Sequence, residues 1–321
     1  MFSPEYLVKY INNAISKIKY PEEPRGLYEP IKYTLEGSGK RLRPLLTLAT
    51  CDVLGGDIEA AKNQAIGVEM FHNFTLLHDD VMDNADMRRG KATVHRKWNE
   101  ATAILSGDAM LTLATQFMTK GDGTKSWDII TLFNTTAMEV YQGQQYDMDF
   151  ELRDDVSVEE YLEMIRLKTS VLLGCACKLG AIVAGAFDSE RNAFYKYGMK
   201  LGLAFQLQDD YLDTYGDPQI FGKNIGGDIL NDKKTWLLIS ALNEDTTGTI
   251  KSLIGNSDIN GEEKIAAVKA IYDNLNLANR CKELMEKFAA EAVDALKTVG
   301  LSDKDMEFFR QLAQEAIGRN H

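Results

Sequence analysis

The sequence predicts an all-α protein, a helical bundle forming a single domain over residues 1–321, and three observations predict it. Apolar residues recur three and four positions apart along almost the whole chain, the spacing that lines one face of an α-helix. Strand-like alternation bounded by turn residues is scarce, and there are only six prolines. Turn-forming clusters interrupt the pattern at 21–26, 55–57, 121–125, 216–227 and 256–261, with segments of helix length between them. No linker or shift in composition divides the chain, so these helices are expected to pack around one core.

Taken in order, the N-terminal "MFSPEYLVKYINNAISKIKY" mixes charges with apolar residues at helical spacing. It has no uninterrupted apolar stretch of the secretory kind. Residues 64–83, "QAIGVEMFHNFTLLHDDVMD", form a long apolar helix that ends in aspartates. Residues 160–187 form a second, and its part "VLLGCACKLGAIVAGAF" (171–187) is the most membrane-like stretch. That stretch is shorter than the roughly 20 residues a span needs and carries Lys178. It is expected to be a buried helix, and no membrane span is expected. Residues 195–213, "YKYGMKLGLAFQLQDDYLD", form a third long helix. From Glu262 to Arg319 the pattern predicts two or three amphipathic helices.

Charge and cysteines narrow the function classes. Lys plus Arg number 36 and Asp plus Glu 48, a net charge of −12, which disfavours nucleic-acid partners because phosphate contacts need a basic surface. The four cysteines, Cys51, Cys175, Cys177 and Cys281, lack zinc spacing and are expected to be buried, reduced thiols of a cytoplasmic protein.

The chemistry concentrates in an internal echo. "LHDDVMD" (77–83) and "LQDDYLD" (207–213) share L-x-D-D-x-x-D, 130 residues apart, and each ends an apolar helical run. On a helix, residues four apart share a face, so Asp79 pairs with Asp83 and Asp209 with Asp213. Asp80 and Asp210 lie about 100° round. Carboxylates packed this closely repel unless a cation lies between them. All-oxygen donors suit hard cations, and Mg²⁺ bridges carboxylates to phosphate oxygens. The two segments are expected to be two halves of one site.

Positive charge for a bridged anion is available in Arg88-Arg89, Lys168, Lys223, Lys233, and Lys40, Arg41 and Arg43 of "GSGKRLRP". The GSGK fragment is not a P-loop, because Thr34 and Arg41 stand where Gly and Ser or Thr are required. "EMFH" (69–72) has the Glu-x-x-His form of a di-iron bundle. It has no acidic partner upstream of His78, His95 or His321, so that reading fails.

The motifs "EGSGKRLRP" (36–44), "HDDVMDNADMRRGK" (78–91), "GQQYD" (143–147), "LKTS" (167–170), "FQLQDDYLD" (205–213) and "GKNIGGDILNDKKTW" (222–236) follow one another in order. With them the chain resembles the trans-type isoprenyl diphosphate synthases, which include farnesyl and geranylgeranyl diphosphate synthases. The resemblance implies an all-α fold around a deep central cavity, usually in a homodimer. It implies a prenyltransferase that condenses an allylic diphosphate with isopentenyl diphosphate by ionisation, condensation and elimination.

Residue roles carry over by position. Asp79, Asp80, Asp83, Asp209, Asp210 and Asp213 match the aspartate motifs that hold about three Mg²⁺ ions. Arg88, Lys168, Lys223 and Lys233 match the allylic diphosphate site. Lys40, Arg43, His72 and Arg89 match the isopentenyl diphosphate site. Thr169 and Gln206 match polar groups near the reacting carbons, and with Lys168 form the expected catalytic set. Gln144 and Asp147 match a G-Q-x-x-D element of unassigned role. Asp232 stands where many members have Gly, and Lys233 rather than Lys234 is the aligned lysine.

Phe74 lies five residues before Asp79, about 7–8 Å down the helix axis. An aromatic there resembles short-chain members and implies a C15 or C20 product. Thr75 is small, and Phe71, three before Phe74, is expected to be plain core beneath that stop. A longer-chain polyprenyl synthase is the nearest alternative. A class I terpene cyclase usually replaces the second aspartate motif, and a non-catalytic partner subunit usually loses one, whereas both motifs are intact here. Asp86 is expected to orient the arginine pair.

Overall fold

The computed structural model describes residues 1–37, 39–217, 225–256 and 259–318. The described residues are helical almost throughout, as the periodicity predicts: α1 (Pro4–Ser16), α2 (Arg25–Leu35), α3 (Leu42–Val53), α4 (Ile58–Met82), α5 (Val94–Lys97), α6 (Glu100–Met118) and α7 (Ser126–Glu151). After these come α8 (Val158–Ile165), a π-helical turn (Arg166–Ser170), α9 (Val171–Ala184) and α10 (Asp188–Tyr215). The chain continues with α11 (Gly227–Leu230), α12 (Trp236–Glu244), α13 (Thr249–Leu253), α14 (Gly261–Asn274), α15 (Leu277–Ala295) and α16 (Asp303–Ile317).

Helix starts follow their capping residues. Asp57 accepts from the Glu59 N–H at the head of α4, and Asn99 accepts from Thr102 at the head of α6. Ser157 and Glu160 form a reciprocal capping box on α8. Each side chain satisfies an N–H that the first helical turn leaves without a partner.

The chain divides into two compact units, Met1–Thr135 with Cys175–Tyr195, and Thr136–Gly174 with Lys196–His321. In the first, α4 is the central element and packs against α3 and α6. Its buried residues run from Ile58 to Asp80 on nearly every face, as expected of a helix enclosed by others. In the second unit, α12 packs against α8 and α15, and α15 packs against α16. Tyr161, Leu207, Leu237, Ile239 and Tyr272 lie in its core.

The segment Val158–Ala184 is long and apolar enough to cross a membrane, but 78% of its most apolar window is buried inside the protein. That is a core helix. Helix α9 stops at Ala184 because Gly185 turns into the left-handed region at φ 77°. Phe187, which the pattern places in the buried helix, is 80% exposed.

Among the described residues, one short hairpin departs from the all-helical pattern. Met87 pairs with Ala92 and Arg88 with Lys91. The two turn residues, Arg89 and Gly90, both have positive φ (51° and 75°), the requirement of the tight hairpin turn whose twist matches paired strands.

Candidate active site

In the first unit, α4 delivers the aspartates of the first motif. Asp79 stands in the last turn of α4, and Asp83 is the C-cap residue, its N–H donating to the Asp79 carbonyl at 2.8 Å. Asp80 points inward and is 5% exposed. Burial pushes its carboxyl pKa up, and the neighbouring Arg88 opposes that shift. Arg88 Nε donates to Asp80 Oδ1 at 2.6 Å. The hairpin thus clamps the first arginine onto the first aspartate motif.

Its turn aims the second arginine elsewhere. The Arg89 guanidinium lies against the loop before α3, where a Cβ on Gly39 would sit 2.8 Å from Arg89 Nη1. Lys40, the next residue along that loop, is exposed. The charge of Arg43, and next that of Arg89, reach His72 on α4, followed by those of Arg88 and Arg41. Burial, and then these positive charges, hold the imidazole well below its usual pKa, so His72 is neutral at physiological pH. The unit therefore brings Arg43, His72 and Arg89 of the expected isopentenyl diphosphate set into one basic neighbourhood, while Lys40 stands exposed on the loop before α3.

Arg41 has another task. It is buried with φ 51°, and its Nη1 lies 2.7 Å from Glu69 Oε1. Its Nε donates to Asn12 at 2.9 Å, and Asn73 also donates to Glu69. This buried pair fastens the loop bearing Lys40 and Arg43 to α4. A cleft open to solvent is lined by Tyr33, Gly37, Asn73, Asp80, Arg88 and Arg89 among others.

Below the aspartates, Phe74 is 6% exposed and Phe71 fully buried. Phe71 packs on Phe133 with ring centroids 5.3 Å apart, and Phe74 packs on His78 at 4.7 Å. Phe71 is core, as expected. Thr75 donates to the His72 carbonyl at 2.8 Å. Asp86 does not orient the arginine pair: it forms its ion pair with Arg96 at 2.7 Å, because the chain turns at Asn84 (φ 51°) before the hairpin starts.

In the second unit, the "LKTS" segment is the π-turn. The Val171 N–H donates to the Arg166 carbonyl, five residues back, and such single turns of wide helix recur at functional sites. Gly143 on α7 permits it, since a Cβ there would overlap the backbone of Lys168. Lys168 Nζ lies 2.6 Å from Asp147 Oδ2. Burial pushes Asp147 upward, but Lys168 and then Lys233 outweigh it and leave its pKa lowered. The G-Q-x-x-D element thus has a structural account: its Gly admits the π-turn and its Asp holds the turn's lysine.

Thr169 Oγ1 donates to Gln206 Oε1 at 2.9 Å, and Gln206 Nε2 donates to Asp210 Oδ1 at 2.9 Å. The other Asp210 oxygen accepts from the Tyr161 hydroxyl at 2.6 Å. Burial raises the Asp210 pKa, opposed first by the Lys233 charge. Asp213 accepts from the Asp228 N–H at 2.8 Å, which ties the second aspartate motif to the start of α11. Asp209 is half-buried between them on α10. Lys233 is half-buried and acts on Asp147 and Asp210, whereas Lys234 is buried. Lys223 lies outside the described residues.

Among the described residues, no three His, Cys, Asp or Glu side chains converge as a ready-made metal cage. Mg²⁺ keeps several waters and binds through one or two carboxylates plus substrate phosphates. Each unit offers such carboxylates four residues apart at the end of a long helix, with cations beside them. The donor chemistry fits a hard divalent cation carried with a diphosphate.

Comparison with known proteins agrees with this chemistry. Residues 24–275 match the polyprenyl synthetase family. The chain is 36% identical over 316 residues to the geranylgeranyl pyrophosphate synthase of Geoglobus acetivorans, covering 98% of this chain and 97% of that one. A crystal structure of a geranylgeranyl pyrophosphate synthase matches with a TM-score of 0.96 and 43% identity, over 100% of both chains. A polyprenyl synthase from Caulobacter crescentus CB15, complexed with calcium and isoprenyl diphosphate, matches at 0.89 and 29% identity, over 99% of this chain and 96% of that one. The ordered aspartate and basic motifs, the helical fold and the near-full-length likeness converge: the chain belongs to the polyprenyl synthetase family.

Proposed function

We infer that the two units work as one synthase domain, which condenses an allylic diphosphate with isopentenyl diphosphate head to tail. The chain is a prenyltransferase, a short-chain prenyl diphosphate synthase of the geranylgeranyl or farnesyl type, and the observation that carries this is likeness to such enzymes over nearly its whole length. The product is a C15–C20 all-trans prenyl diphosphate, with Phe74 as the stop.

The enzyme is divalent-metal dependent, and the ion is Mg²⁺, about three per site. The six aspartates, Asp79, Asp80, Asp83, Asp209, Asp210 and Asp213, are the residues that would hold it. When bound, it neutralises the charge that develops on the departing diphosphate.

The chain's own residues do the rest. Arg88, Lys168, Lys223 and Lys233 grip the allylic diphosphate, and carboxylates already hold Arg88 and Lys168 in place before substrate arrives. Lys40, Arg43, His72 and Arg89 hold the isopentenyl diphosphate, with Arg89 as a fork for phosphate oxygens. His72 adds a ring nitrogen for a hydrogen bond to the same phosphate group. Thr169 and Gln206 present polar atoms beside the reacting carbons, and apolar walls exclude water from the allylic cation. The released diphosphate accepts the proton lost at the end, so no side-chain nucleophile is required.

The working form is a cytoplasmic homodimer. The four cysteines are buried thiols, which fits a reducing compartment.

The aspartate assignment is tested with Asp79→Ala and Asp209→Ala. Each lowers turnover by roughly two to three orders of magnitude, the scale of losing electrostatic stabilisation of a leaving group, while circular dichroism and melting stay near wild type. Near-normal turnover in either variant contradicts the assignment.

A further inference from the structure

Tyr161 belongs to none of the aligned substrate or metal motifs, yet it is 1% exposed and its hydroxyl reaches Asp210 at 2.6 Å. It sits on α8, one helical segment ahead of the π-turn that carries Thr169. With Gln206 donating to the other oxygen at 2.9 Å, both oxygens of Asp210 accept from this chain.

Four side chains therefore form one directed series. A carboxylate can only accept, so the Gln206 amide must turn its NH₂ to Asp210 and its carbonyl oxygen away. That carbonyl oxygen takes the hydroxyl hydrogen of Thr169 at 2.9 Å. Thr169 is left with lone pairs and no spare hydrogen. A polar atom beside a developing allylic cation should present its negative end, and the series enforces that orientation from 49 residues away in sequence.

We propose that Tyr161 is a positioning residue for the condensation: its hydroxyl fixes Asp210, which orients Gln206 and, through it, the acceptor face of Thr169. A buried phenol has one rotatable hydrogen, and among the described residues Asp210 is the partner that takes it. A phenol facing a carboxylate donates to it, because the carboxylate has only lone pairs to offer. The hydroxyl is thus a permanent donor. Phenylalanine would fill the same space and leave Asp210 short of one donor.

The inference rests on the synthase reading of the preceding subsection, and the experiment separates the two. Full-length wild type, Tyr161→Phe, Asp210→Ala and the double variant are compared for elongation kinetics and urea unfolding. Tyr161→Phe lowers kcat by about ten- to a hundredfold, the rate equivalent of one hydrogen bond to a charged group. KM for isopentenyl diphosphate stays within about twofold, because binding energy common to ground and transition states is untouched. In the Asp210→Ala background the same substitution costs nothing further in kcat, since coupled residues act non-additively.

From the other end, Thr169→Val loses as much as Tyr161→Phe, while Thr169→Ser, which keeps the hydroxyl, restores the rate. This pair carries the test if Tyr161→Phe does not fold. A wild-type kcat for Tyr161→Phe, an equal loss in both backgrounds, or no difference between Thr169→Ser and Thr169→Val overturns the proposal alone. A wild-type chain that forms no elongated prenyl product overturns the synthase reading and the proposal together.

Discussion

The buried pair Arg41–Glu69 shows how one residue can serve a substrate site without touching substrate. Arg41 sits between Lys40 and Arg43, and the sequence does not distinguish it from them. Its guanidinium is turned inward by a left-handed backbone (φ 51°) and paired with Glu69. Glu69→Gln leaves a buried guanidinium without its counter-charge, so unfolding free energy should fall by about 3–5 kcal/mol, measured by urea denaturation. A loss below about 1 kcal/mol, the scale of an exposed pair, would show the pair to be solvated. His72 adds a pH dependence. Its folded pKa is lowered by burial and the surrounding arginines, so the unfolded chain takes up this proton first as pH falls. Stability is complete above about pH 6.5 and drops by up to about 1.4 kcal/mol per pH unit below it. His72→Gln should flatten that slope between pH 7.5 and 5.5. An unchanged slope would place its origin elsewhere.

At the scale of elements, the π-turn at Arg166–Ser170 and the glycine facing it decide where Lys168 and Thr169 stand. Gly143→Ala adds a Cβ that overlaps the Lys168 backbone. The main chain must shift, at about 1–3 kcal/mol of stability for overpacking, and kcat should fall more than stability alone accounts for. Unaltered kcat and melting temperature would show that the turn tolerates the displacement. The long helices and the two aspartate motifs were legible in the sequence because period and spacing are local signals. The π-turn was not, since five-residue hydrogen bonding leaves no periodic mark in "RLKTS". The Arg89-Gly90 turn was legible in principle, Gly being the residue that favours positive φ, but a two-residue strand is too short to alternate. Pairings across distance were hidden: Asp86 joins Arg96, and Tyr161 joins Asp210 from 49 residues away. Nothing local to either residue encodes its partner.

Over the whole molecule, the acidic balance of −12 and the local gathering of arginine and lysine fit an enzyme that binds small diphosphates. It would have little affinity for nucleic acid. Product length is a property of this scale, since the chain must stop growing where the protein stops yielding. Phe74, packed between Phe71 and His78, is the proposed stop. Phe74→Ala removes the ring and should shift the product by one or more isoprene units, with wild-type and variant prenols sized side by side. The measurement that tests the account most directly is elongation itself. The purified chain is given Mg²⁺, labelled isopentenyl diphosphate and dimethylallyl, geranyl or farnesyl diphosphate, and the hydrolysed prenols are resolved by length. The account predicts C15–C20 all-trans prenols, abolished by chelating the metal. Cyclic hydrocarbons, products of C30 or longer, or undiminished synthesis in chelator would contradict it.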